Sequence, residues 1–258
     1  MANSSRLTGN DSAVLSQLFD PEATATSNIL VDPSLPDEPR FENRQVLAEI
    51  KEKEKAIVSR VEAALKEHER SWEQTVALDE AYDALTGLID AYPQCASIRN
   101  NRAQLLRLKH GDNLIIPRVS FGVSDKLLSR GATVVSDLDW AISLLSPSTP
   151  HAAVSPGQCR TLAQAHTQRG ALFHAASKTL AMDIHVPYVR APAGGLAAWT
   201  SLDFEQAASR DFFMGGRYGN EVAKALAVHT SPTAKLCGQM VQEAMKREYV
   251  VSPQMPST

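Results

Sequence analysis

The chain has 258 residues, 43% of them hydrophobic, enough for a substantial core. Its net charge of −3 argues against a dedicated binder of nucleic acid or of anionic membranes. No apolar run approaches the roughly 20 residues that cross a bilayer, and the first residues lack the charged and apolar regions of a secretory signal.

Residues 1–42 read as an N-terminal tail. Asp11 starts a short helix over SAVLSQLF, stopped at Asp20-Pro21, and Pro21, Pro33, Pro36 and Pro39 make 21–40 an extended linker. From about Asn43 to about Val76 the spacing of Val46, Ile50, Ile57, Val61, Leu65 and Trp72 predicts one long helix, with KEKEK at 51–55 facing solvent. A second helix follows from about Ala77 to Ala91, with Leu78, Ala81, Tyr82, Leu85, Leu88 and Ile89 on one face and Pro93 beyond its end. Ala96–Lys109 makes a third, closed by His110-Gly111.

Residues 111–131, with Pro117, Gly122 and Gly131, read as an inserted loop. Thr133–Leu145 returns to a helical pattern, residues 146–157 are a linker, and Gln158–Lys178 is a helix. A second insertion covers 182–199. Ser201–Phe213, Asn220–His229 and Pro232–Tyr249 complete the helices, GGRYGN at 215–220 is a helix end and turn, and 250–258 form a tail.

Two features point to a tetratricopeptide repeat, in which helix pairs recur about every 34 residues. Glu69 and Ala103 lie one such step apart, as do Trp72 and Leu106, and so should occupy equivalent places on successive first helices. Ala81, Leu85, Leu88 and Pro93 fit the second-helix pattern, as do Val134, Leu138 and Ala141, and Gly170 stands where a first helix approaches its neighbour closely. The expected architecture is all-α: three helix pairs at about 60–93, 96–147 and 158–213 within a domain of residues 43–249. They would form a short right-handed superhelix, closed by capping helices over 220–249 and interrupted by the two inserted loops.

The segments NDSAVLSQLFDPEA, ASIRNNRAQLLRL, SDLDWAISLL, QRGALFHAASK with SLDFEQAASRDFFMGG, and TSPTAKLCGQMVQEAM together resemble the tetratricopeptide repeat protein 36 family. That resemblance implies three repeat units with a capping helix and an adaptor role, with chaperone association proposed for the animal form. In repeat domains that hold the acidic tail of an Hsp70-type chaperone, convergent cations and amides clamp the terminal carboxylates. The matching positions here are Lys66, Arg70, Asn101, Gln164 and Gln168, with Gln104 beside them in the groove. Gln164 and Gln168 stand where the clamp carries two cations. Charged hydrogen bonds contribute about 1.5–3 kcal/mol each, so this groove is expected to hold a partner peptide or helix of another specificity, the alternative being a co-chaperone that captures an Hsp70-type acidic tail.

Three widely spaced cysteines, Cys95, Cys159 and Cys237, read as reduced thiols in a cytoplasmic or nuclear protein. Cys159, His166 and His174 lack a third ligand at metal spacing and an activating partner, and Asp137 and Asp139 face different sides of one helix. The expectation is therefore a non-enzyme without cofactor or metal. The competing enzyme reading puts a small-molecule site in the two insertions, with Arg118, Asp125, Lys126, His185, Tyr188 and Arg190.

Overall fold

The computed structural model describes residues 29–41, 43–66, 72–115, 118–119, 125–149, 152–182, 189–190, 196, 198–231 and 240–247. Among the described residues the named helices are, in chain order, α1 (Arg44–Leu65), α2 (Trp72–Ala91), α3 (Ala96–His110), α4 (Asp125–Leu145), α5 (Pro156–Ala181), α6 (Ser201–Arg217) and α7 (Glu221–Thr230). Residues 240–247 are helical as well, with every side chain exposed. The all-α expectation holds, with one small addition. Strands β1 (Arg118–Val119) and β2 (Val189–Arg190) pair antiparallel, so the two insertions touch through their backbones. The short helix expected near Asp11 lies outside the described residues. No described helix is long and apolar enough to cross a membrane.

Each helix packs on the next in the chain, and α3 also reaches α5. The apolar residues form two clusters. Leu47, Ile50, Ile57 and Val61 of α1 meet Leu78, Leu85 and Ile89 of α2 and Ile98 of α3. The second cluster runs from Ala103 and Leu106 of α3 through Val134, Leu138, Leu162, Leu172, Phe204 and Phe212. Trp199, Phe173 and Phe204 pack tilted or edge-to-face with centroids 5.0–5.9 Å apart and fix the entry to α6. Gly170 sits close under Phe212 and Ala208 of α6, where a Cβ would press on the ring at 3.0 Å.

Helix starts carry their own signals. Asn43 caps α1, and Ser155 with Gln158 and Thr200 with Asp203 form capping boxes at α5 and α6. α3 has no such cap: its N-cap residue is Cys95, whose side chain makes no capping bond. Glu38 does the work from elsewhere in the chain, accepting from the backbone N–H of Ala96 at 3.1 Å and Ser97 at 3.0 Å. Asp37 does the same at α5, accepting from Gly157 N–H at 3.1 Å and the Ser155 hydroxyl at 2.9 Å, with Lys51 at 2.7 Å. Val31 bridges Val154 in parallel. The proline-rich segment expected as an extended linker instead turns at Asp32–Leu35 and at Glu38–Phe41, and is bonded along 29–41 to three helices.

Two boundaries differ from the sequence reading. The helix expected over 43–76 ends at Leu65, and a new helix opens at Trp72, which is 76% exposed. Leu106, by contrast, is buried inside α3. The 34-residue step from Trp72 to Leu106 therefore does not join equivalent places. The first insertion is also shorter than expected, because α4 begins at Asp125.

Candidate partner-binding face

Helices α1, α3 and α5 lie side by side, and polar side chains stitch them together in a recurring way. Glu54 on α1 accepts from the Ser97 hydroxyl at 2.9 Å and from Asn101 Nδ2 at 2.8 Å. Asn100 on α3 donates to Gln164 Oε1 at 3.1 Å, and its own Oδ1 accepts from Gln168 Nε2 at 2.9 Å. In each case one side chain reaches residues i and i+4 of the next helix, the spacing of a single helical face. Ser97 and Gln164 lie 67 residues apart, and so do Asn101 and Gln168.

The same 67-residue step relates the arginines of two ion pairs, whose aspartates lie 74 residues apart. Arg102 grips Asp137 on α4 with two bonds of 2.7 and 2.8 Å. Arg169 grips Asp211 on α6 with two bonds of 2.7 Å. Asp137 and Asp211 are both almost fully buried. Burial by itself raises Asp211, but the Arg169 guanidinium and His166 bonded to it hold its carboxyl below the usual range. Asp139 turns the other way, as expected from its neighbour, and reaches Arg169 at 2.6 Å.

The structure brings together part of the expected groove. Asn101 is half-buried and tied to Glu54, and Gln168 is buried against Asn100 with no partner for its Oε1 among the described residues. Gln104 and Gln164 are exposed. Lys66 is exposed just past the last turn of α1, away from any first-helix position, and Arg70 lies outside the described residues. Two partners escaped the sequence reading. Asn100 is the hub toward α5. Glu54, read with KEKEK as solvent-facing, is only 7% exposed. Its signal was present: Leu47, Ile50, Glu54, Ile57 and Val61 form one stripe.

Burial pushes the Glu54 carboxyl up from its ordinary value, with nearby Glu38 adding to the effect. Burial likewise raises Glu38, and it pushes the Cys95 thiol up to about 12. Cys159 is raised by burial and donates to the Tyr218 carbonyl at 3.2 Å. His166 stacks on the Tyr218 ring and bonds Asp211 at 2.8 Å. Neither thiol is activated as a nucleophile. Among the described residues no group of three His, Cys, Asp or Glu could hold a metal ion. Of the insertion residues, Asp125 and Lys126 belong to α4, Arg118 and Arg190 face each other in the β ladder, and His185 and Tyr188 lie outside the described residues.

The chain is 38% identical over 247 residues, 94% of its length and 93% of the relative's, to the L-tyrosine degradation gene cluster protein hmgX of Aspergillus fumigatus. It is 26% identical over 177 residues, 66% of each chain, to the tetratricopeptide repeat protein 36 homolog of Drosophila melanogaster. No family model matches the sequence, and no solved structure does.

Proposed function

This chain belongs to the family of the L-tyrosine degradation gene cluster protein hmgX, and from that premise we propose that it is a non-catalytic adaptor of the tetratricopeptide type for a protein of L-tyrosine breakdown. In this reading α1/α2, α3/α4 and α5/α6 are the three repeat units of a short right-handed superhelix, and α7 begins the cap. The partner lies along the row of α1, α3 and α5, and the adaptor works in the cytoplasm or nucleus. The observation that carries the reading is the 67-residue recurrence of Asn101, Arg102 and Ala103 as Gln168, Arg169 and Gly170: at both places an amide donates to a side chain of the neighbouring helix in the row and an arginine holds a buried aspartate. Recurring side-chain contacts at a fixed step are the mark of a repeat array, whose concave face is a partner surface. The distant likeness to a tetratricopeptide repeat protein supports the same fold type, and the name of the fungal relative supports the pathway.

A chaperone-tail clamp fits the row less well. Asn101 already holds the Glu54 carboxyl, and an acid in that place repels the terminal carboxylates of such a tail.

Affinity capture with the full chain from native cells, grown with and without L-tyrosine, tests the proposal. Recovery of one stoichiometric enzyme of L-tyrosine degradation is expected, and Gln104→Arg with Gln164→Arg should reduce it at least tenfold. Capture unchanged by both substitutions would sink the assignment of the face. Binding of an acidic tail peptide that is lost in Asn101→Ala would favour the chaperone reading instead.

A further inference from the structure

At the far end of α3 from Asn101, the last turn of α3 meets the start of α4 above α2. Leu78, Tyr82, Leu105 and Leu106 floor a cavity there of about 150 Å³. Lys109, His110, Lys126 and Arg130 stand around it, with Asp79 as the single acid of the lining. That acid is already engaged. Its hydrogen bond and ion pair with Lys109 hold its carboxyl below the usual range, with smaller contributions from Lys126 and Arg130.

Two cations are left over. The Arg130 guanidinium lies 3.6 Å from the centre of the Tyr82 ring, and Lys126 is exposed at the rim. Neither forms an ion pair within the described residues. Residues 116–124, which lead into α4, contain no acid in their sequence. Lys126 stands in the first turn of α4, where the positive end of the helix disfavours a cation. His110 feels the same field: burial, then Lys109 and Arg130, lower it from its ordinary value.

We propose that this cavity binds a small carboxylic acid of one ring, with the ring on Leu105 and Leu106 and the carboxylate between Lys126 and Arg130. The volume fits, since an apolar cavity of about 150 Å³ accommodates one benzene molecule. The charge fits, since one carboxylate there answers two cations that have no ion pair among the described residues. The ring gives the ligand its place on the floor, and the carboxylate gives it its orientation. The cavity belongs to α2, α3 and α4, so the inference does not depend on the partner face along α1, α3 and α5.

Calorimetric titration of the full chain with phenylacetate as probe tests it. Saturable one-site binding is expected, at least tenfold weaker for phenylacetamide, which lacks the charge, and for acetate, which lacks the ring. Lys126→Glu should weaken phenylacetate binding tenfold or more, and Lys126→Gln by a smaller factor. Because Lys126 is exposed, both variants keep the fold, which circular dichroism checks. No heat up to millimolar phenylacetate would overturn the proposal. So would equal binding of the three probes or unchanged binding in Lys126→Glu.

Discussion

Asp37 and Glu38 are neighbours in sequence, yet each closes the start of a different helix: Glu38 that of α3 and Asp37 that of α5. Pro36 and Pro39 bracket them and stiffen the short segment. A lone side-chain cap usually sits next to its own helix. Here two helix starts, 60 residues apart, share one dipeptide.

Glu38→Ala strands two backbone N–H groups, the buried one of Ala96 and the half-buried one of Ser97. A loss of about 1–3 kcal/mol is expected. Asp37→Ala, at a half-exposed carboxylate, removes one cap and should cost about 0.5–2 kcal/mol. Urea denaturation of both variants measures the difference. A cost below about 0.5 kcal/mol for Glu38→Ala would mean that these N–H groups find other acceptors.

Arg102→Ala leaves Asp137 buried without its bidentate partner, and Arg169→Ala does the same to Asp211. Breaking one side of a buried pair costs about 3–5 kcal/mol. The Arg102→Met, Asp137→Leu double variant, which removes both charges, should recover most of that loss in thermal melts.

Glu54 carries a pH signature. Burial holds its folded pKa above the ordinary value of 4.5, so the folded state holds the proton more tightly than the unfolded chain does. Stability contributed by protonated Glu54 is therefore complete below pH 4.5 and falls as pH rises through the folded value. Glu54→Gln keeps an acceptor for Asn101 and removes the titration. Its stability relative to the parent should rise with pH above 4.5. Parallel stability profiles for the two proteins would contradict the assignment.

Two glycines should respond in opposite directions. A Cβ on Gly131 would collide with the Leu114 carbonyl, so Gly131→Ala forces α4 away from the preceding loop and should cost about 1–3 kcal/mol. Gly87 lies inside α2 with nothing within 4 Å of where its Cβ would stand. Gly87→Ala should stabilise by about 0.5–1 kcal/mol, because alanine loses less backbone entropy on entering a helix. Melting temperatures of the two variants give the signs directly.

The apolar stripes made most of the fold legible. Leu78, Ala81, Leu85 and Ile89, or Val134, Leu138 and Ala141, repeat at helical spacing and are buried as that spacing requires. The break after Leu65 was not legible, since neither proline nor glycine marks it and Trp72 continues the apolar rhythm while facing water. Of the polar row, Asn101 and Gln168 could be read from their places on α3 and α5. The burial of Glu54 could be read from the stripe on α1, but its partners and those of Asn100 could not, because they depend on which helix lies across from them. The caps at Asp37 and Glu38 were hidden for the same reason: no local pattern announces a bond to a residue 58 or 120 positions away.

Those long-range bonds change how the molecule comes apart. In a linear array of repeats each unit touches only its neighbours, so the ends fray one at a time. Here Val31 is bridged to Val154 and Asp37 is bonded to Gly157, while the same short stretch holds the start of α3. Melting α5 frees that stretch and uncaps α3, and detaching the stretch loosens both helices together. The early part of the chain thus works as a tie rod that makes the row of helices unfold as one cooperative body.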